Sequence, residues 1–277
     1  MDRWLSIAAI ISGIFFGIGI YKWLIVRHKD ITLDNVMKVT RLPLYILGIL
    51  TFILLFFGIL RLNNDVMWHM PLWIDVYADI VLWGSIFISL TFLMTLSICL
   101  SWYQHHPERI KFTLAGIVLL TALLVLRFRA EPPLLIDPEG ILSSDGYVLQ
   151  STYATCAPAA GANVARELGI EVGEKELAEY MRTNIQGTSP GKKIMGMRKI
   201  GLEGKRIIYK NVHDIQTPAI LFVDHEDIGP ETHAIAILHT DERYAEIVDP
   251  LIGKSRLMHE HLSEIWHGKA IIFDKHN

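Results

Sequence analysis

Residues 150–169 read Gln150-Ser-Thr-Tyr-Ala-Thr-Cys156-Ala-Pro158-Ala-Ala-Gly-Ala-Asn-Val-Ala-Arg-Glu-Leu-Gly169. The stretch opens polar and turn-forming, then turns alanine-rich. Proline has a fixed φ suited to a first helical turn and glycine suits a C-terminal stop, so a helix is predicted over 158–168. Cys156 stands at its mouth. Unpaired backbone N–H groups and the positive end of the helix dipole favour a thiolate there. A lone cysteine also serves as a small buried hydrophobe, and both readings stay open at this point.

Downstream, Leu177, Tyr180 and Met181 recur at helical spacing within 174–183, and Ser189-Pro190 opens a third helix that stops near Gly201. Short β-like runs follow at 206–209, 218–224, 233–239, 243–248 and 269–273, with a short helix at 262–266 before the last. Helices first and an antiparallel sheet second define an α+β domain, here 145–277. Upstream, residues 130–144 hold Pro132, Pro133, Pro138 and Gly140 and read as an extended linker.

The domain needs a base if Cys156 is a nucleophile. His233 opens an otherwise apolar strand, and the next strand ends at Asp249. A hairpin turning at Asp241-Glu242 pairs residues whose numbers sum to about 483. That register sets Asp249 opposite Ala234, beside His233, and a turn one residue different sets it directly opposite His233. A carboxylate there fixes the tautomer of the imidazole, as a nucleophile–base–orienter arrangement requires. Taken singly, a histidine at a strand edge and an aspartate before Pro250 are ordinary structural residues. Gln150, six residues before Cys156, places a side-chain amide where it can join the Cys156 N–H in an oxyanion hole.

These residues in this order resemble the C39-like cysteine peptidases, whose best-known members cut double-glycine leaders from bacteriocin and pheromone precursors. The resemblance rests on Gln150-Ser-Thr-Tyr-Ala-Thr-Cys156-Ala-Pro158, Thr232-His233-Ala-Ile-Ala-Ile237 and Ile247-Val-Asp249-Pro250. Gly187-Thr-Ser-Pro-Gly191, Lys199-Ile-Gly-Leu-Glu-Gly204 and Leu262-Ser-Glu-Ile-Trp-His-Gly268 extend it over about 145–273. It implies a papain-like fold, with Cys156 as nucleophile, His233 as general base, Asp249 as orienting acid and Gln150 as oxyanion donor. Thr155 and Ala157 depart from the family's usual acidic residue and glycine around the cysteine. Ala234 departs from its usual bulky residue after the histidine. No G-x-x-x-x-G-K-[ST] phosphate loop occurs, so ATP chemistry is not expected of this chain and a transporter partner would be encoded separately. His225, Glu226, Asp227, Glu231, His239, His259 and His261 are metal-ligand types, yet their spacing matches no metal motif; neither a metal nor a cofactor is expected.

The whole chain is 277 residues long, 51% hydrophobic and 20% charged, with a mean hydropathy of +0.34. Such averages exclude a disordered chain, a collagen and a disulfide-stapled mini-protein. A net charge of −3 gives no electrostatic footprint for nucleic acid. The apolar excess lies in residues 1–129, where about four transmembrane helices are expected, at 4–26, 42–60, 80–103 and 110–128. Ionisable residues are almost absent from these runs, which points to an anchor rather than a transport path. Gly13, Gly17 and Gly19 offer small surfaces for helix packing. Lys and Arg near the helix ends number six on one side (Arg27, Lys29, Lys38, Arg41, Arg109, Lys111) and four on the other (Arg3, Arg61, Arg127, Arg129). The positive-inside rule then sets both termini, and the catalytic domain, outside the cytoplasm of a bacterial plasma membrane. The expected function is a membrane-bound cysteine peptidase acting on a peptide or leader-bearing precursor. The alternative is a catalytically silent peptide-binding or sensing module on the same anchor.

Overall fold

A computed structural model describes residues 2–28, 48–49, 52, 56, 64–130, 141–185, 187–227 and 229–275. The chain divides into two compact units, one of Met1–Met70 with Tyr77–Ala130, the other of Pro71–Val76 with Glu131–Asn277.

The first unit is helical: α1 (Asp2–Arg27), α2 (Asn64–His69), most of α3 (Leu72–Tyr103) and α4 (Arg109–Ala130). Among the described residues two segments are long and apolar enough to cross a membrane, Leu5–Arg27 and Trp83–Tyr103. Of about four spans expected, the described residues therefore supply two. The expected span 42–60 lies outside the described residues except at four positions, all helical. The expected span 110–128 coincides with α4, which is not one of the two. The helix that holds the span expected at 80–103 starts earlier, at Leu72, because a helix propagates by backbone hydrogen bonds and is not stopped by isolated charges such as Asp75. Two of the three glycines of α1 lie against α3. A Cβ at Gly13 would stand 1.9 Å from Thr91 Oγ1, and one at Gly17 would stand 2.7 Å from Thr95 Cβ. Gly19 has open space around it. Leu24, Phe92, Leu96 and Leu100 fill the seam beyond.

The second unit is the α+β domain. Its sheet has six antiparallel strands in the order β3-β8-β4-β5-β6-β7: β3 (Leu202–Ile208), β4 (Ala219–His225), β5 (Gly229–Thr240), β6 (Tyr244–Asp249), β7 (Gly253–Met258) and β8 (Trp266–Lys275). A separate two-stranded hairpin, β1 (Ile141–Leu142) and β2 (Val148–Leu149), begins inside the stretch read as linker. Period-two alternation sends Leu221, Val223, Ile235, Ile237, Ile247 and Ile272 to one face, where Leu262 of α8 (His259–Ile265) covers them. Phe222 and Phe273 point to the other face, towards α7 (Pro190–Arg198), which lays Lys193 on Phe222 and Ile194 beside the same strands. Helix α5 (Cys156–Glu167) is buried from Ala157 to Ala165 without a break, as a helix apolar on every side must be. Gly161 lets α5 close on its neighbours: a Cβ there would meet Met181 Cε at 3.0 Å and Met197 Sδ at 3.2 Å. Helix α6 (Glu174–Tyr180) completes this layer.

The hairpin register differs from the expected one. Ala236 pairs with Val248 and Ile237 with Ile247, and a bulge shifts the pairing to His239 with Glu246. Continued in that register, Asp249 falls opposite Ile235, not Ala234 or His233. It reaches His233 diagonally on the same face, a distance long side chains span. Strand β7 was not expected. It is an edge strand whose Lys254 and Arg256 face outwards, so its alternation is charged rather than apolar.

Candidate active site

Cys156 is the first residue of α5, preceded by the N-cap Thr155. Its sulfur lies close enough to the His233 ring and the Ala234 N–H for both to favour the thiolate. His233, 5% exposed, places Nε2 2.8 Å from Asp249 Oδ1. With Nε2 so engaged, Nδ1 is the ring nitrogen left for the sulfur, and when the ring is charged both nitrogens donate. Asp249 is held in turn by the Leu251 N–H at 2.8 Å. The three side chains therefore gather between a helix N-terminus and a strand end, with the His233–Asp249 hydrogen bond as their fixed link.

Burial alone would push the Cys156 thiol up; the His233 hydrogen bond, the Lys193 charge, the His233 charge and the Ala234 N–H bring it below its ordinary value. Burial likewise disfavours the His233 imidazolium, but the hydrogen bonds and charges of Asp249 and Cys156 raise it from 6.5 to about 9. Asp249 is opposed by burial and held low by His233, the Leu251 N–H and the His225 charge. All three directions favour one charge state, thiolate–imidazolium–carboxylate.

Gln150 lies beside this chain in the backbone sense: its N–H donates to the Pro250 carbonyl at 2.9 Å, tying the loop before the cysteine to the turn after Asp249. Its side-chain Nε2 donates to the Thr152 carbonyl at 3.1 Å, which leaves a second N–H on that amide. Oε1 is buried and has no hydrogen-bond partner among the described residues.

A model of the peptidase C39 family matches residues 144–277. An uncharacterized protein of Methanothermobacter marburgensis is 30% identical over 139 residues, covering 50% of this chain and 95% of that protein. The chain belongs to the peptidase C39 family. A second uncharacterized protein, from Methanothermobacter thermautotrophicus, is 31% identical over 134 residues, 48% of this chain and 92% of its own. Similar solved structures include a double glycine motif protease of an AMS/PCAT transporter in complex with a leader peptide (20% identity, TM-score 0.41, 46% of this chain and 89% of that one). Another is the peptidase domain of Streptococcus ComA, a bi-functional ABC transporter of a quorum-sensing pathway (25% identity, TM-score 0.41, 46% and 96%).

Four residues around the C39 site carry roles that the sequence reading passed over. Asn163, fully buried, accepts the Val148 N–H at 2.8 Å and donates to the Val148 carbonyl at 2.9 Å, clamping the strand that leads to Gln150. Its signal was visible: a lone amide in an alanine-rich helix, seven residues from Cys156 and so on the same face. Glu174, also buried, accepts the Ser151 N–H at 2.8 Å. His225 sets its ring 5.5 Å from that of His233, edge to face. The fourth, Lys193, is buried. Of the acids and histidines weighed as metal ligands, Glu231 pairs with Lys269, and His259 Nε2 lies 2.9 Å from Thr240 Oγ1. Among the described residues no group of three His, Cys, Asp or Glu side chains is placed to hold a metal ion.

Proposed function

We propose that residues 145–277 are an active cysteine peptidase on a membrane anchor formed by residues 1–129, with 130–144 between them. The observation that carries this reading is the His233–Asp249 hydrogen bond set beside the Cys156 thiol. In it the Cys156 thiolate attacks the carbonyl carbon of a peptide bond. The oxyanion develops near the Cys156 N–H and the free amide hydrogen of Gln150. The C–N bond breaks as the His233 imidazolium gives its proton to the leaving amine. Water, deprotonated by the neutral imidazole, then cleaves the thioester and restores the thiolate. Asp249 orients the ring and stabilises its charge at the two steps where it is cationic.

The substrate is a peptide, and by the resemblance to the leader-cutting members a precursor with a Gly-Gly or Gly-Ala leader end, exported by a separately encoded transporter. The two long apolar helices support a plasma-membrane location, and the charge asymmetry supports the outer side.

The test is cleavage of synthetic leader peptides followed by mass spectrometry, beside iodoacetamide labelling of the full chain. Cys156→Ala is expected to abolish cleavage and labelling of the domain while preserving its fold, and Cys99→Ala to change little. Undiminished turnover by Cys156→Ala overturns the mechanism. Peptide binding without any cleavage by the wild-type chain identifies the silent module instead.

A further inference from the structure

Lys193 lies in the first turns of α7, 5% exposed, with Nζ 3.8 Å from the centre of the Phe222 ring. Among the described residues it makes no hydrogen bond or ion pair. An ammonium out of water without a carboxylate in contact is costly, and a ring face repays only part of what water supplied. Such a charge is retained where a field is needed.

Its position shows which group receives that field. Phe222 is the cross-strand partner of Ala234, so the two side chains share a face of the sheet. Ala234 directly follows His233, and its N–H is among the groups that favour the Cys156 thiolate. The charged groups facing Lys193 are Cys156 and, from the first turn of α3, Asp75; those facing Cys156 are His233 and Lys193. Asp75 is spent on α7, where it accepts the Gly191 N–H at 2.5 Å, with Arg206 Nη1 3.8 Å away.

We propose that Lys193 is a positioning residue for the nucleophile: its buried ammonium is a second cation, beside the His233 imidazolium, that holds Cys156 as a thiolate. It acts through its field and takes no part in bond making. The geometry agrees with the charge balance, since the thiolate raises Lys193 while burial, the larger effect, lowers it to about 8. The inference rests on Cys156 being the reactive thiol, but not on any particular substrate.

In a Cys99→Ala background Cys156 is the sole thiol of the full chain. Its iodoacetamide alkylation rate is measured in detergent from about pH 4 to about pH 10, a range spanning perturbed and ordinary thiols. Lys193→Met, close in shape and uncharged, is expected to move the midpoint up by about one pH unit, a roughly tenfold loss of rate below it. Lys193→Gln should shift it in the same direction, and Lys193→Arg, which keeps the charge, should recover most of the rate. A purely structural lysine predicts the opposite order, with the bulkier arginine worst and methionine unmoved. Melting temperature supplies a second readout: removing a desolvated charge should leave Lys193→Met at least as stable as wild type. A Lys193→Met profile that overlays wild type overturns the proposal; if that variant does not fold, coincident Gln and Arg profiles overturn it equally. Peptide cleavage is read separately. A shifted profile without cleavage in any variant keeps this inference and removes the peptidase, whereas cleavage with unshifted profiles does the reverse.

Discussion

At the scale of single residues, the site is a set of opposed electrostatic demands resolved by contact. His233 would lose its charge to burial, and the Asp249 and Cys156 contacts reverse that, raising it from 6.5 to about 9. A raised imidazole contributes stability that is complete below its unfolded value near 6.5 and is lost as pH rises through about 9. Cys156 and Asp249 are lowered, so their contributions are present above their unfolded values and disappear as pH falls through the folded ones. Cleavage needs the thiolate and the imidazolium together, so kcat/KM should rise with thiolate formation and fall above about 9, where His233 deprotonates. Asp249→Asn removes the carboxylate that raises His233. Its alkaline limb should therefore move to lower pH, with a loss of rate smaller than that of His233→Ala. A pH–rate profile of the two variants checks this; an alkaline limb of Asp249→Asn that stays in place contradicts the assigned role.

At the scale of elements, each unit contains a close approach, one inside the α+β domain and one between helices α1 and α3. Asn163 satisfies both backbone groups of Val148 from within α5. Asn163→Ala leaves two buried polar groups unpaired, at roughly 1–3 kcal/mol each, and should lower thermal stability by about 2–5 kcal/mol. Activity should drop as well, because Val148 leads directly into Gln150. Among the helices, Gly13→Val would force a side chain onto Thr91 Oγ1 and the Ile88 carbonyl, 2.7 Å from a Cβ at that position. Overpacking of this kind costs about 1–3 kcal/mol, visible as a lower melting temperature in detergent, while Gly19→Val, in open space, should be neutral there. The helices α5, α6 and α7 were legible because Pro158, Ser189-Pro190, Gly169 and Gly201 mark their ends by local backbone chemistry. Five of the six sheet strands were legible from apolar runs. Strand β7 was not, because an edge strand with Lys254 and Arg256 outward shows no apolar alternation. The triad was legible by residue type and order, but its register was not: a bulge between Ile237 and His239 leaves no mark in composition. Lys193 was hidden for a different reason, since burial of a lysine is decided by the sheet it lands on, and no neighbour in sequence reports that.

At the scale of the molecule, an anchor formed by residues 1–129 would decide where the proposed chemistry happens. The two described membrane-length helices, Leu5–Arg27 and Trp83–Tyr103, carry their charges at the ends, so orientation is set by flanking Lys and Arg. Arg27, Lys29, Lys38 and Arg41 lie in one short stretch between the first two expected spans, where positive charge acts most strongly on orientation. Arg127 and Arg129 oppose them from the end of α4, immediately before the peptidase half. The count of six against four favours retention of the first stretch, and with it an even number of spans carries residues 131–277 outwards. An alkaline wash of isolated membranes should leave the chain in the pellet. A reporter active only outside the cytoplasm, fused after Asn277, should give signal, and a cytoplasm-active reporter at the same point should not. Replacing Arg27, Lys29, Lys38 and Arg41 by glutamine removes the majority, leaving two charges against four, and should exchange the two signals. If the unaltered chain already activates the cytoplasmic reporter, the charge at Arg127 and Arg129 dominates, and the thiolate site works on precursors before they leave the cell.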